Sequence, residues 1–137
     1  MGEWDTWIGR EIERLDRVDE RLLHRWIATL DREPPADGTA PQGFHWCLAT
    51  PDTPTAQLGP DGHPRRTGGP ESFLPPVPLP RRMWASSQVA FHAPLRSGDP
   101  VRQRSRVRAI TEKSGGSGRL VFVDVHHQTF VAEALAV

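Results

Sequence analysis

The sequence predicts an α+β fold, in which one amphipathic helix precedes a long irregular segment and an antiparallel sheet. Apolar residues recur at helical spacing in the first 31 positions. Apolar and polar residues then alternate with a period of two in three later segments, at about residues 88–95, 101–113 and 119–131. The run from Ser114 to Gly118 separates the last two segments and is typical of a hairpin turn. A chain of 137 residues is long enough for one domain with a single hydrophobic core.

The helix is predicted for residues 4–31, whose apolar positions with helical spacing are Val18, Leu22, Trp26, Ile27 and Leu30. Asp16 is a candidate N-cap, and the acidic pair Asp19–Glu20 favours a first helical turn just after it. Pro34 restricts the residue before it to extended backbone, so the helix is expected to end near Glu33.

Residues 32–80 form a segment rich in proline and glycine, which we interpret as an ordered loop and as a partly mobile lid or wall of a site. Its large apolar side chains argue against a solvated tether. Within it, residues 43–50 (GFHWCLAT) are predicted as a short strand and residues 58–69 as turns. After the third alternating segment, residues 132–137 are predicted as the entry to another strand.

Charge and composition exclude several classes of partner. The 17 basic and 17 acidic residues cancel, so no overall charge attracts the chain to nucleic acid or to a membrane surface. Its apolar runs are too short to span a bilayer, and its charged N-terminus lacks the apolar core of a signal peptide. A single cysteine, Cys47, excludes an intrachain disulfide and suits a reducing compartment. We therefore expect a cytoplasmic protein.

Four arginines alternate along the segment 101–113, at positions 102, 104, 106 and 108. In a strand they project from one face, opposite Val101, Ser105 and Val107. Such a stripe either is a solvated outer face, which we favour, or binds phosphates or an acidic surface. Because no second basic cluster of similar size supports it, we do not predict nucleic-acid binding.

The residues best suited to chemistry are few. The run Arg81-Arg82-Met83-Trp84 places two permanent cations beside an apolar ring. This suits a ligand that is anionic at one end and apolar at the other. The alternative is that the arginines are solvated and the tryptophan is buried in the core. Asp61 and His63 could act as an acid–base pair, but PDGHP is first of all a turn sequence. No metal-binding motif is present, and neither metal nor cofactor is expected.

Five segments, in order, resemble the N-terminal half of MaoC-like hydratases, in particular type 2 3-hydroxyacyl-thioester dehydratases and mesaconyl-CoA hydratases: GFHW, LGPDGHP, FLPPVPLPRRMWA, FHAPLRSGDPV and EKSGGSGRLVFVDV. The resemblance covers about residues 4–131. It implies a hot-dog fold, in which an antiparallel sheet wraps around a helix, with residues 1–137 as one such domain and a second unit beside it. It also implies reversible addition of water to the double bond of an acyl thioester carried by CoA or an acyl carrier.

The chain departs from the family at Ser86, where glycine is usual, and in its GGSG hairpin, where arginine is common. The family's catalytic Asp and His belong to a C-terminal signature that this chain lacks. The resemblance therefore implies a half without catalytic residues, with Asp61, His63 and His45 as the fallback. It further implies that Arg81 and Arg82 hold phosphate or carboxylate groups, and that the acyl or pantetheine path is lined by aromatic residues, namely Phe44, Trp46 and Trp84.

Two functions remain open on the sequence. The first is a subunit or half of an acyl-thioester hydratase or dehydratase, working with a catalytic hot-dog partner. The second is a catalytically silent module that binds a thioester or a polyketide-like ligand, or a scaffold dimer. Both imply an oligomer, a homodimer or a hetero-oligomer, because an isolated hot-dog unit exposes a sheet edge.

Overall fold

The computed structural model describes residues 2–137, in which a four-stranded sheet accompanies one α-helix. The elements are β1 (Glu11–Arg17), α1 (Glu20–Thr29), β2 (Pro100–Gly115), β3 (Gly118–Val131) and β4 (Ala134–Leu135), with short 3-10 helices at Asp5–Trp7, Phe44–Cys47 and Thr55–Gln57. The strands lie in the order β1-β2-β3-β4, and β3 pairs with β4 antiparallel, with Phe130 opposite Leu135. This antiparallel sheet with a single helix confirms the predicted α+β class and is a hot-dog fold.

The chain divides into two compact units, and each has its own hydrophobic core. Unit 1 contains the residues up to Ile12 together with the segments Pro51–Ser86 and Ser105–His126. Unit 2 contains the segments Glu13–Thr50, Ser87–Arg104 and His127–Val137. The assignment of residues 1–137 to one hot-dog domain stays a prediction.

In unit 2, α1 packs its apolar face into the core. Leu23 and Ile27 are one helical turn apart and are each only 1% exposed, and they share a core cluster with Val101 of β2. The helix begins at Asp19, whose carboxylate accepts a hydrogen bond from the backbone N–H of Leu22 at 2.8 Å. Asp16, the predicted cap, instead accepts a hydrogen bond from the backbone N–H of Ala49 at 2.7 Å, so that prediction is wrong.

Removing the cap of α1 is expected to destabilise the protein. Asp19→Ala leaves an N–H of the first turn without its acceptor, and we expect a loss of about 1 kcal/mol in the free energy of unfolding. Denaturation with guanidinium measures this, with Asp52→Ala in an exposed loop as the matched control. Equal effects of the two substitutions would contradict the assigned cap.

In unit 1, the proline run is packed rather than solvated. Val77, at its centre, is 8% exposed and joins Trp4 and Trp7 in a core cluster. The Arg10 guanidinium lies 3.5 Å from the centroid of the Trp7 ring and donates hydrogen bonds to two loop carbonyl oxygens, at 3.2 Å to Gly69 and 2.7 Å to Ser72. The loop of unit 1 is thereby fixed by side chains rather than by a ladder of backbone hydrogen bonds.

Three predicted elements differ from the structure. The N-terminal half of the predicted helix 4–31 is wrong, because residues 11–17 form β1 and α1 spans only Glu20–Thr29. The predicted strand at 43–50 is wrong, because Phe44–Cys47 is a 3-10 helix. The predicted strand at 88–95 is wrong, because none of these residues belongs to a strand and the chain bends at Ala93. The hairpin with its turn at residues 116–117 and the final strand, β4, are confirmed.

The arginine stripe of β2 lies on the outer face of the sheet, as favoured from the sequence. Val101 and Val107 on the opposite face are buried at 3% and 0% exposure. In unit 2, Arg102 pairs with Glu13 of β1 at 3.2 Å, and in unit 1, Arg106 pairs with Glu11 at 3.5 Å. These cross-strand ion pairs give the stripe a role in strand pairing.

Candidate functional site

An open cleft of about 390 Å³ lies in unit 2, and we call it the His45 cleft. One wall comes from the residues around the 3-10 helix Phe44–Cys47, and the other from residues 91–95 before β2. Most of the lining is apolar, and its residues are Thr39, Ala40, Pro41, Gln42, Gly43, His45, Phe91, His92, Ala93, Pro94, Leu95 and Val137. A mainly apolar cleft of this volume with a few polar groups is typical of a small-molecule site.

The two residues before His45, Gly43 and Phe44, position its side chain at the cleft. Gly43 precedes the helix with φ of 102°, a left-handed conformation that favours glycine. Phe44 follows with 0% exposure, and its ring meets the edge of Trp26 at a centroid distance of 5.5 Å. With Phe44 anchored in the core behind the wall, the next side chain, His45, faces the cleft.

The His45 imidazole lies between two aromatic rings, with centroids 4.7 Å from Trp46 and 5.6 Å from Phe91. Burial lowers the pKa of His45, and repulsion from His127 lowers it further. The Nδ1 atom is buried and has no hydrogen-bond partner within residues 2–137. The cleft therefore presents a neutral imidazole at pH 7, which suits an uncharged ligand better than an anionic one.

The lowered pKa of His45 predicts how stability depends on pH. The folded-state pKa lies below the ordinary value of 6.5, so the unfolded chain binds more protons in the interval between the two. The stability that the protein gains from a neutral His45 is fully present above pH 6.5 and is lost as the pH falls towards the folded-state pKa. We expect His45→Phe to flatten the fall in unfolding free energy below pH 6.5.

Guanidinium denaturation at a series of pH values measures this effect. His24→Gln, at an exposed position of α1, is the matched control and is expected to keep the wild-type slope. If His45→Phe also keeps that slope, the imidazole is not held neutral by the cleft.

Asp61 and His63, the sequence-predicted acid–base pair, meet in an exposed turn of unit 1. Gly62 between them has φ of 78°, and the Asp61 carboxylate accepts a hydrogen bond from the His63 backbone N–H at 3.1 Å. This hydrogen bond is the main cause that lowers the pKa of Asp61. The His63 Nδ1 lies 3.3 Å from the same carboxylate, with 48% of the His63 side chain exposed. The two side chains thus meet in a turn at the surface, which their contacts stabilise.

The arginine–tryptophan run also lies in unit 1. Partial burial lowers the pKa of Arg82, and repulsion from Arg66 adds to this, while Asp61 opposes it. Arg82 therefore lies near another cation, and no carboxylate lies within ion-pair distance of it in residues 2–137, so an anion would be favoured there. Trp84 is 76% exposed, and its indole N–H donates to the Ser86 carbonyl oxygen at 3.1 Å. Arg81 is exposed as well.

The sequence-predicted site residues thus fall into two groups. Unit 2 contains Phe44, His45 and Trp46, and unit 1 contains Asp61, His63, Arg81, Arg82 and Trp84. Of the aromatic group, Phe44 is in the core behind the cleft, and Trp46 is 59% exposed against His45. The sequence analysis did not assign Phe91 and Val137 to the His45 cleft. It also did not place Arg66 near Arg82. All three residues are distant in sequence from the residues that they meet.

The described residues contain no cluster of three or more metal-ligating side chains. None of the helices in residues 2–137 is long and apolar enough to cross a membrane.

The antiparallel sheet and the single helix define a hot-dog protein. Residues 43–137 match the sequence model of the family described as hydroxyacyl-thioester dehydratase type 2. The chain is also 42% identical over 140 aligned positions to mesaconyl-C(4)-CoA hydratase of Chloroflexus aurantiacus. This alignment covers 98% of this chain and 48% of the relative. The chain therefore belongs to the type 2 hydroxyacyl-thioester dehydratase family, and it spans about half the length of this relative.

Proposed function

We propose that this chain is one half, or one subunit, of an acyl-thioester hydratase or dehydratase. The observation that carries the proposal is the match of 98% of this chain to about half of a hydratase named for a CoA thioester. In the proposed reaction, the oxygen of water bonds to C3 of a 2,3-unsaturated thioester and a proton adds to C2. The reverse reaction eliminates water.

The proposed division of labour follows from the chemistry that the reaction needs. A carboxylate and a histidine that activate water, with donors for the enolate oxygen, would come from a partner hot-dog unit. Each unit is proposed by itself to bind one part of an acyl-CoA: in unit 2, the His45 cleft takes an acyl group or part of the pantetheine arm, and in unit 1, Arg82 with Arg81 takes phosphate oxygens. A neutral His45 suits an uncharged acyl group such as crotonyl, because the residues that line the cleft include no Lys or Arg to pair with the carboxylate of a mesaconyl group.

Hydration assays test the proposal with two proteins. One is this chain alone, and the other is a chimaera that joins this chain to the part of the Chloroflexus relative that it does not match. With mesaconyl-CoA and crotonyl-CoA as substrates, we expect hydration by the chimaera and none by the chain alone. Hydration by the chain alone would place the catalytic groups here, and Asp61, His63 and His45 would then be mutated first.

A catalytically silent ligand-binding module is the second candidate. The exposed Asp61–His63 turn supports it only against catalysis by this chain alone, because a half that takes its catalytic groups from a partner is equally consistent with that exposure. A chimaera that binds a CoA ester by calorimetry but does not hydrate it would support this function and contradict the first.

The role proposed for Arg82 gives a separate prediction. A guanidinium that binds a phosphate oxygen makes a charge-assisted hydrogen bond, so Arg82→Ala is expected to weaken CoA binding to the chimaera by about tenfold or more. Binding of pantetheine, which lacks the phosphates, is expected to stay unchanged. Calorimetry measures both affinities, and Arg108→Ala at an exposed position of β2 is the matched control. Equal losses for CoA and pantetheine would contradict a phosphate contact.

A further inference from the structure

Ala49 follows one wall of the His45 cleft in an unfavourable backbone conformation. It lies two residues after the 3-10 helix Phe44–Cys47 and has φ of 55°, in the left-handed region that residues with a Cβ atom avoid. Gly43, before the same helix, has φ of 102°, and glycine adopts this conformation without a steric cost. The wall thus begins at a glycine and ends at a strained alanine. Such a residue persists only where its surroundings hold it.

The contact that holds Ala49 is a hydrogen bond from β1. The Asp16 Oδ2 atom accepts this hydrogen bond from the Ala49 backbone N–H at 2.7 Å, and the two residues are 33 positions apart in the sequence. A hydrogen bond to a charged acceptor is stronger than one between neutral groups, so it can offset the cost of the left-handed backbone. Ala49 is only 7% exposed, so water has limited access to the same N–H.

Asp16 lies near the end of β1, where the backbone is well fixed. Val18, two residues further on, is fully buried in the core cluster of unit 2. Its N–H donates to the Asp99 carbonyl oxygen at 2.9 Å, and its own carbonyl oxygen accepts from the Gly98 N–H at 2.8 Å. Asp16 is therefore a fixed acceptor to which the end of the cleft wall is attached.

From Ala49 the contact reaches His45 within four residues. The Leu48 N–H donates to the His45 carbonyl oxygen at 3.1 Å, and Leu48 is 4% exposed in the core. We propose that Asp16 is a positioning residue for the His45 cleft, because by holding Ala49 left-handed it keeps this wall in the place where an acyl group binds. Asp16 is not among the residues that line the cleft, so it acts through Ala49. The role of the cleft rests on the proposed function, whereas the position of His45 is measured without it.

The pKa of His45, followed by NMR titration of the chain alone, reports where its imidazole lies. Burial holds this pKa below 6.5, and the charge that lowers it further is that of His127. In Asp16→Ala we expect the wall to relax and the pKa of His45 to rise towards 6.5, because the imidazole becomes more hydrated. Loss of a negative charge by itself would move the pKa in the opposite direction. A rise therefore reports a change of position.

Two further variants separate positioning from a general loss of stability. In the Asp16→Ala background, Ala49→Gly removes the steric cost of the left-handed backbone, and we expect it to restore the lowered pKa of His45. Asp19→Ala is the matched control, since it removes another carboxylate–backbone hydrogen bond of unit 2, at 2.8 Å, and is expected to leave the pKa of His45 unchanged. If Asp16→Ala alone does not fold, the double variant is still expected to fold with the lowered pKa.

The active chimaera tests the consequence for turnover. We expect Asp16→Ala to lower kcat/KM for crotonyl-CoA by about tenfold, which corresponds to the left-handed cost of alanine, and Ala49→Gly to recover most of this loss. Asp19→Ala is expected to keep kcat/KM.

Three results would overturn the inference: an unchanged or lowered pKa of His45 in Asp16→Ala, no recovery with Ala49→Gly, or an equal rise of that pKa in Asp19→Ala. Failure of the two proposals is distinguishable. An inactive chimaera with the expected changes in the pKa of His45 contradicts only the hydratase. An active chimaera in which Asp16→Ala leaves that pKa unchanged contradicts only the positioning role.

Discussion

Phe44→Ala is expected to lower the free energy of unfolding by about 3–5 kcal/mol, which is a large share of the stability of a domain of this size. Phe44 is fully buried and its ring contacts the edge of Trp26, so alanine removes apolar burial, loses an aromatic contact and leaves a cavity. The helix that orients His45 is anchored in the core through this ring. The substitution is therefore expected to disorder the His45 cleft as well.

Trp46→Ala is the matched control for this prediction, since Trp46 is also a large aromatic residue of the same 3-10 helix but is 59% exposed. Its expected cost is smaller, about 2 kcal/mol, because more than half of the Trp46 residue is already exposed in the folded state. Guanidinium denaturation followed by far-ultraviolet circular dichroism measures both variants without depending on tryptophan fluorescence. Similar losses for the two variants would show that Phe44 is not the anchor of the helix.

The sequence predicted the elements whose patterns are set by their own residues. The β2–β3 hairpin follows from alternation around a glycine-rich turn, and the face that buries Val101 and Val107 is the predicted one. The apolar face of α1 was predicted only in part: Ile27 is buried as expected, but Leu22 and Leu30 are 38% and 48% exposed, and the buried residue Leu23 was not assigned to that face. In the hairpin, local pattern and final environment agree.

Strand β1 could not be predicted because its residues favour a helix when considered alone. Glu11–Arg17 reads EIERLDR, in which glutamate, arginine and leucine are good helix formers. Pairing with β2 overrides this preference, since Glu13 meets Arg102 across the strands at 3.2 Å. The four arginines of β2 were the available signal, because a row of cations on one strand predicts acidic residues on its neighbour.

The segment at 88–95 shows the opposite case, in which the strand pattern is present but the structure has no partner strand for it. A strand requires a ladder of hydrogen bonds that a pattern does not supply. Here Ala136 accepts from His92 and Ala93, and Leu95 accepts from Ala40, which does not make a ladder. The His45 cleft was only partly predictable for a related reason. Phe91 and Val137 are distant from His45 in sequence, and only the fold brings them to the same cleft.

Filling the His45 cleft is expected to have the largest effect on activity if the cleft holds the acyl group. Ala93 lines the cleft, and its small side chain leaves space beside Phe91 and His45. In Ala93→Trp an indole occupies that space, so the thioester cannot reach its productive position. Misplacement of a substrate by about 1 Å costs about 100-fold in rate, and we expect at least about that loss of kcat/KM in the active chimaera.

The pattern of losses distinguishes an acyl site from general damage. CoA without an acyl group is expected to bind Ala93→Trp with unchanged affinity, because it lacks the group that the cleft is proposed to hold. Ala56→Trp, at an exposed position of a short 3-10 helix in unit 1, is the matched control for adding an indole and is expected to keep full activity. Full activity of Ala93→Trp would exclude the cleft as the acyl site while leaving the family and the fold untouched.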